Sequence, residues 1–337
     1  MVATPDPPKR NRLRQVLAVL GYAAILVLAL RTIDPKGFFE VLRAVRVQHV
    51  AAVLAFIALH LGTRSYRYHA LVARSRPEGG YRMSDGFRIF LLGLAASAVT
   101  PARAGDLIKV ELVRPYGLKR STGLGLVVIE RILDLLAVNA TIVCVGFFLA
   151  KDLQRDDLSW AAVAFLAALA AGTAVISWRR PRKWMIHVVT QVITRVRKEL
   201  AGRVDIAAQR LFEAWDDIFT SPGVALRYFL LSVGAWLFDF LKLWILLQAV
   251  GGDVSVLAVL FVYPLSLMAG ILTLLPFSDG VVGVTAVALL SSLTHVDVEM
   301  AAATVAVDRA LSTLAPFLLY WVFALLKKKD AGSAEAP

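Results

Sequence analysis

The stretch "TPARAGDLIKVELVRPYGLKR", residues 100–120, lies between two long apolar runs and decides how the chain is expected to cross a membrane. If the run 86–102 crossed completely, this basic stretch would be exported, and each later connector would lie on the side that its charge disfavours. A turn between Pro101 and Gly105 that returns the chain to its side of entry removes the conflict. The stretch therefore predicts a re-entrant helical hairpin.

The composition is that of a membrane protein: 58% of the residues are hydrophobic, 18% are charged, and the mean hydropathy is +0.68. Soluble globular domains are much less apolar, and runs of about 20 apolar residues are long enough to span a bilayer. The sequence predicts an all-α polytopic membrane protein with apolar segments at 13–33, 47–66, 86–102, 122–150, 158–178, 227–250, 254–275, 279–294 and 300–326. Cys144 is the only cysteine, so an internal disulfide is excluded.

The connectors differ in charge, and this difference predicts the topology. The basic connectors are the N-terminus, residues 64–88 with Arg64 and Arg67, residues 179–210, and the tail at 327–329. The neutral or acidic connectors are 151–157, 251–253 and 294–299. Basic connectors stay in the cytoplasm, so both termini are expected there, in a cell inner (cytoplasmic) membrane. The net charge of +12 is explained in the same way, and no nucleic-acid partner is expected.

A second hairpin, which turns at Pro276 to Gly280, completes an internal repeat. Each half is predicted to contain about three spanning helices and one re-entrant hairpin, and the two halves have opposite topology, as in many transporters. The hairpin tips are predicted at Pro101, Gly105, Pro276, Asp279, Gly280 and Gly283. The predicted domains are a cytoplasmic tail (1–12), a first repeat (13–150), a second repeat (151–326) with a basic amphipathic cytoplasmic insertion (179–226), and a cytoplasmic tail (327–337).

Charged residues at membrane depth are the candidate functional residues, because each costs roughly 2.5–3.5 kcal/mol to insert. Glu130 and Asp134 share one helix face, and Arg131 lies within reach of Asp134. Arginine at a hairpin tip suits an anion such as a phosphate or phosphodiester. The predicted substrate-binding residues are Arg103, Asp106, Lys109, Glu130, Arg131, Asp134, Asp308 and Arg309.

Other roles for these charges stay open at the level of sequence. Glu130, Arg131 and Asp134 are also consistent with a buried ion-pair latch or with a coupling-ion site, and Asp308 and Arg309 have the same alternatives. A second pair of charges, Asp239 and Lys242, is expected to neutralise itself, because the two residues are three positions apart on one helix.

Enzyme chemistry is not expected. The five histidines are scattered, and the chain contains none of the zinc-protease, phosphate-binding-loop or nucleophile-elbow motifs. The segment "HVDVE", 295–299, is interpreted as a solvated loop. No metal site and no cofactor are predicted.

The motifs "TPARAGDLIKVELVRPYG" and "VVIERILDLLAV", followed by "LLPFSDGVVGV" and "VDRALS", resemble those of the lysylphosphatidylglycerol synthase transmembrane-region family of flippase-like membrane proteins. This resemblance implies translocation of a polar-headed lipid, such as an aminoacylated phosphatidylglycerol, a polyprenyl-phosphate-linked glycan or a hopanoid-type lipid. The family motifs fall on Pro101, Arg103, Gly105, Asp106, Glu130, Arg131 and Asp134 in the first half, and on Pro276, Gly280, Gly283 and Arg309 in the second.

The sequence thus leads to three functional hypotheses. The first is a non-enzymatic lipid flippase with a charged cavity at mid-membrane, whose partner is a lipid with an anionic or phosphate-bearing headgroup. The second is a membrane scaffold or accessory subunit for the assembly of a lipid-linked glycan or envelope lipid, beside a lipid-synthesising enzyme. The third is an intramembrane transferase that acts on lipid phosphates with Glu130 or Asp106 as its base.

Overall fold

The computed structural model describes residues 46–75, 80–100, 105–152, 218–272 and 278–333, together with isolated positions elsewhere. Within these ranges the chain is helical and contains no strand, which confirms the predicted all-α class. The helices are α1 (Val47–Arg74), α2 (Met83–Val99), α3 (Ile108–Leu112), α4 (Arg120–Asp152), α5 (Pro222–Ala249), α6 (Val256–Leu272), α7 (Ser278–Leu293) and α8 (Val298–Ser333), and a short 3-10 turn (Arg114–Tyr116) lies between α3 and α4. The predicted spans at 13–33 and 158–178, the tail 1–12 and most of the insertion 179–226 lie outside the described residues.

Four of these helices are long and apolar enough to cross a membrane. They are Val47–Arg74, Arg120–Leu149, Pro222–Ala249 and Val298–Val322. Large apolar side chains on them point outward, among them Leu318 and Trp321 on α8, where a bilayer would cover apolar surface that water disfavours. The chain is therefore a multi-pass membrane protein.

The first hairpin, residues 83–116, reverses the chain within a few residues of the end of α2. The Thr100 hydroxyl donates to the carbonyl of Ala96 at 2.8 Å and accepts the N–H of Gly105 at 2.7 Å, which ties the returning chain to the helix end. Gly105 packs directly on the backbone of Ala96 and Ser97, where a Cβ would overlap it. A residue with a Cβ cannot approach the backbone of α2 so closely, which explains why glycine occupies position 105.

The return segment then runs back along α2 to the point where the hairpin began. Lys109 packs its stem against Gly93, and the ring of Tyr116 meets that of Tyr81 edge to face at 5.1 Å, just before the start of α2. Gly117, in the left-handed region at φ 78°, ends the 3-10 turn and redirects the chain toward α4. The two ends of the first hairpin thus lie beside each other.

The second hairpin, α6 and α7 (residues 256–293), also has its two ends beside each other. The Trp244 and Gln248 side chains each donate to the carbonyl of Val254 at 3.0 Å, which fixes the entry to α6. A Cβ on Gly252 would lie 3.5 Å from the sulfur of Met300, in the first turn of α8. The chain therefore enters α6 and leaves α7 at the same end of the bundle. Both helices are apolar but shorter than the four spans.

Helix α4 contacts the two hairpins at different points along its length. Near its start, Arg120 contacts Glu111 at 2.7 Å at the base of the first hairpin, and Arg131 contacts Asp106 near the tip of that hairpin. Further along, Asn139 lies 3.6 Å from Met268, near the end of α6. A Cβ on Gly146 would lie 3.2 Å from the ring of Phe261, toward the start of α6. Asp106 and Met268 thus contact α4 about two helical turns apart, at Arg131 and Asn139.

Replacing Gly105 with Ala is expected to destabilise the protein by roughly 1–3 kcal/mol, because the new Cβ overlaps the backbone of α2. The measurement is thermal unfolding of the purified protein in detergent. The control is Gly234→Ala in α5, where nothing lies within 4 Å of the new Cβ and alanine favours the helix. Equal melting temperatures for the two variants would contradict the tight reversal at Gly105.

Candidate functional site

Arg64 and Arg67 lie inside the bundle, so their predicted place in a cytoplasmic connector is wrong. Helix α1 continues to Arg74 instead of ending near residue 66, and the two arginines, three positions apart, share its buried face with Leu71. Arg64 is 3% exposed and Arg67 is fully buried. The same helical spacing in the sequence is the signal that could have identified them.

The two arginines of α1 pair with two carboxylates of α4. Arg64 donates to Asp134 at 2.7 Å, and Arg67 contacts the other oxygen of Asp134 at 2.8 Å. Glu130, one helical turn earlier, lies 3.7 and 3.8 Å from the same two guanidinium groups. The Arg64 guanidinium also lies over the rings of Phe90 and Trp236. These contacts stabilise the packing of α1 against α4.

Lys109 connects the first hairpin to α4. Its ammonium group lies 2.9 Å from Glu130 and 3.0 Å from Asp106. It also lies 4.7 Å from the ring centre of Phe90 and 5.3 Å from that of Tyr68, a favourable position for a cation in an apolar setting. With almost no exposed surface, Lys109 holds the return segment of the hairpin in place.

Arg131 differs from the other members of this group, because its side chain is 28% exposed while theirs are 6% exposed or less. It donates to Asp106 and lies 3.8 Å from Asp134. The first charge network consists of Arg64, Arg67, Asp106, Lys109, Glu130, Arg131 and Asp134. Among these described residues, the three buried cations already balance the three carboxylates. Arg131 is the surplus positive charge, and it is also the accessible one.

The second charge network, Asp239, Lys242, Asp308 and Arg309, joins α5 to α8. The Lys242 ammonium group lies 2.9 Å from both Asp239 and Asp308, and Arg309 donates to Asp308 at 2.7 Å. Tyr263 of α6 also donates its hydroxyl to Asp308. The expected pairing of Asp239 with Lys242 is present, but Lys242 also binds a carboxylate on another helix.

Helices α1 and α5 connect the two networks. Arg67 donates to the hydroxyl of Ser232, and the Trp236 ring N–H donates to Asp134 at 3.2 Å, so α5 contacts the first network one turn before its own Asp239. His60 of α1 lies against this part of α5, with its Nδ1 2.7 Å from the carbonyl oxygen of Ala235. Because a carbonyl oxygen can only accept a hydrogen bond, Nδ1 carries the hydrogen.

The structure brings together five of the predicted site residues, namely Asp106, Lys109, Glu130, Arg131 and Asp134, and places Asp308 and Arg309 in a separate network. Asp279, Gly280 and Gly283 lie in α7. Pro101, Arg103 and Pro276 lie outside the described residues. Within the described part of the chain, no three His, Cys, Asp or Glu side chains are arranged to hold a metal ion.

Replacing Lys109 with Met is expected to destabilise the protein by about 3–5 kcal/mol, because two buried carboxylates lose a counter-charge. Adding Glu130→Gln should recover part of that loss, since the two side chains interact directly. The measurement is chemical unfolding in detergent, followed by tryptophan fluorescence. Lys119→Met, the same change at an exposed lysine, is the control. Strictly additive effects in the double variant would contradict the pairing.

Comparison with known proteins identifies relatives across most of the chain. A UPF0104 membrane protein of Methanocaldococcus jannaschii is 29% identical over 266 residues, covering 72% of this chain and 75% of the relative. Two UPF0104 membrane proteins of Methanothermobacter thermautotrophicus are 27% identical, covering 88% of this chain and 90% of the relative, and 23% identical, covering 77% and 78%. The family model for the lysylphosphatidylglycerol synthase TM region matches residues 15–319, and the chain therefore belongs to this family of membrane proteins.

Proposed function

We propose that the protein is a lipid flippase that moves a polar, phosphate-bearing headgroup between the leaflets of the inner membrane, without a catalytic step. The observation that carries the proposal is the accessible surplus cation, Arg131, beside the tip of the first hairpin. The buried charges around it already balance, so Arg131 can bind an anion without leaving a carboxylate unpaired. A guanidinium group suits phosphate, because it donates two parallel hydrogen bonds.

The depth of the two accessible arginines supports a site in the middle of the membrane. Arg131 lies about three turns after the start of α4, and Arg309 lies about three turns after the start of α8. Each is therefore roughly 16 Å along its helix, close to the middle of a hydrocarbon core of about 30 Å. Since α4 begins at the base of the first hairpin and α8 at the base of the second, the two residues reach this depth from opposite sides.

The arrangement of the elements supports two inverted repeats with re-entrant hairpins. The first charge network draws on α1, the first hairpin and α4, and the second draws on α5, the second hairpin through Tyr263, and α8. Each hairpin has both ends on one side of the bundle, and the two hairpins start from opposite sides. Polar backbone at a hairpin tip is tolerated at this depth when protein covers it or when it lines a wet cavity.

In the proposed mechanism, the headgroup passes between the hairpin tips while the acyl or prenyl tails stay in the bilayer. One inverted half rocks against the other, so that the site opens to each leaflet in turn. Aminoacylated phosphatidylglycerol, polyprenyl-phosphate-linked glycans and anionic phospholipids all present the required phosphate. The basic charge of the connectors favours a cytoplasmic location for both termini.

A scaffold or accessory subunit is the second candidate, and the near-complete charge balance of the first network favours it. Six of the seven charges compensate one another in contacts between α1, the first hairpin and α4. Such a latch stabilises the bundle without binding a substrate. In that case the protein would act only beside a lipid-synthesising partner enzyme.

Replacing Arg131 with Gln is expected to lower lipid transfer by at least tenfold in vesicles that contain the purified protein, because the accessible anion contact is lost. The assay follows fluorescent phosphatidylglycerol by back-extraction with albumin. Arg114→Gln, the same change at an exposed arginine paired with Glu111, should leave transfer unchanged. Normal transfer by the Arg131 variant would exclude this residue from the mechanism, and activity only beside a partner enzyme would favour the scaffold.

Cysteine accessibility tests the re-entrant topology in a Cys144→Ser background. Cysteines introduced at Arg82 and Arg114, the two ends of the first hairpin, should react with a membrane-impermeant reagent from the same side. Cysteines at Asp253 and Asp297, the two ends of the second hairpin, should both react from the opposite side. All four positions are exposed, so their reactivity reports the side of the membrane. Reaction of Arg82 and Arg114 from different sides would contradict the hairpin.

A further inference from the structure

Among the described residues, the second charge network contains no surplus cation, and this separates it from the first. Lys242 and Arg309 face Asp239 and Asp308, so these four charges balance only while Arg309 stays in place. Arg309 holds Asp308 through both Nε and Nη2, at 3.1 and 2.7 Å. Without Arg309, one buried ammonium group would face two carboxylates.

Arg309 is also the most accessible member of the second network. Its side chain is 17% exposed, whereas that of Asp308 has no exposed surface. The guanidinium lies 4.9 Å from the ring centre of Tyr263. An anionic headgroup that reaches the second network therefore meets Arg309 first, and it competes with Asp308 for the same donor groups.

This competition has a consequence for Asp308. A carboxylate that loses its counter-charge in a buried, apolar setting is strongly disfavoured. Taking up a proton removes the unpaired charge. In the first network the same event has no such effect, because three described cations still face three carboxylates when Arg131 turns to a ligand. In the second network Lys242 alone would face both Asp239 and Asp308.

We propose that Asp308 is a proton-binding site, and that Arg309 couples its protonation to the binding of an anionic lipid headgroup. When the headgroup engages Arg309, Asp308 takes a proton from the water on the side to which the site is open. When the headgroup leaves toward the other leaflet, Arg309 returns and the proton is released on that side. One proton then moves with each anionic headgroup. This proposal rests on the lipid-transport function proposed above.

The charged and titratable groups around Asp308 support this assignment. They are Lys242 and Asp239 on α5, Tyr263 on α6, Arg309 on α8 and, against the adjoining stretch of α5, His60 on α1. Asp239 keeps Lys242 when Arg309 moves, and its side chain is 11% exposed. The group that loses its arginine is Asp308, so the proton is assigned to that carboxylate.

The test uses vesicles that contain the full-length protein and fluorescent phosphatidylglycerol, with a pH difference across the membrane and the electrical potential clamped at zero. With one proton per lipid, the ratio of labelled lipid between the leaflets should shift toward the alkaline side by up to about tenfold per pH unit. Whatever its rate of lipid transfer, Asp308→Asn should lose this shift, because an asparagine side chain takes up no proton. Asp253→Asn, the same change at an exposed aspartate, should behave like the unmodified protein.

A second measurement needs no variant, which matters if Asp308→Asn fails to fold. Short-chain phosphatidylglycerol is titrated calorimetrically into the detergent-solubilised protein, in two buffers that differ in heat of ionisation. The expected result is an uptake of about one proton per lipid bound and, by linkage, tighter binding at lower pH.

The outcomes separate the two proposals. Lipid transfer that ignores the pH difference, or lipid binding without proton uptake, would overturn the proton site and leave the flippase proposal intact. Absence of lipid transfer under every condition would overturn both.

Discussion

Each ionised side chain buried in this bundle has to find an opposite charge within the bundle, and this requirement organises the structure. Asp134 draws Arg64 and Arg67 of α1 against α4, and Glu130 draws Lys109, and with it the return segment of the first hairpin, onto the same helix. Desolvating any one of these charges alone would cost several kcal/mol. The packing of three separate elements therefore depends on a balance that none of them could supply by itself.

The same requirement accounts for the path of the chain over residues 105–120. This polar segment is tolerable between spanning helices because it folds back on α2, with Gly105 against the helix backbone and Lys109 against Gly93. Its charges then meet partners on α4 instead of lipid. The second network pairs its buried carboxylates with other groups. The second hairpin contributes the Tyr263 hydroxyl to Asp308, and the lysine that binds Asp308 comes from the span α5. The charges of the two networks are therefore not interchangeable.

The sequence predicted the helical class, because hydropathy is a local signal. It also named Asp106, Lys109 and Arg131 as candidate residues, and the structure brings these three together. It missed Arg64 and Arg67, because a hydropathy window ends a span where charges begin, whereas the helix continues and buries them. It also missed the contact of Lys242 with Asp308. A lysine that already has a carboxylate three positions away gives no local sign of a second partner on a distant helix.

The latch and the binding site, which the sequence left as alternatives, are compatible in one network. Arg131 has a defined position because Asp106, itself held by Lys109, orients it, and a preorganised donor loses less entropy when it binds a ligand. Under the proposed function, the balanced charges act as the latch, and the surplus charge is available for an anion. Helix α5 contacts both networks, with Trp236 on Asp134 and Lys242 on Asp308. A displacement of α5 would therefore alter both networks together, so in the proposed mechanism this helix is the natural place for the two halves to be coupled.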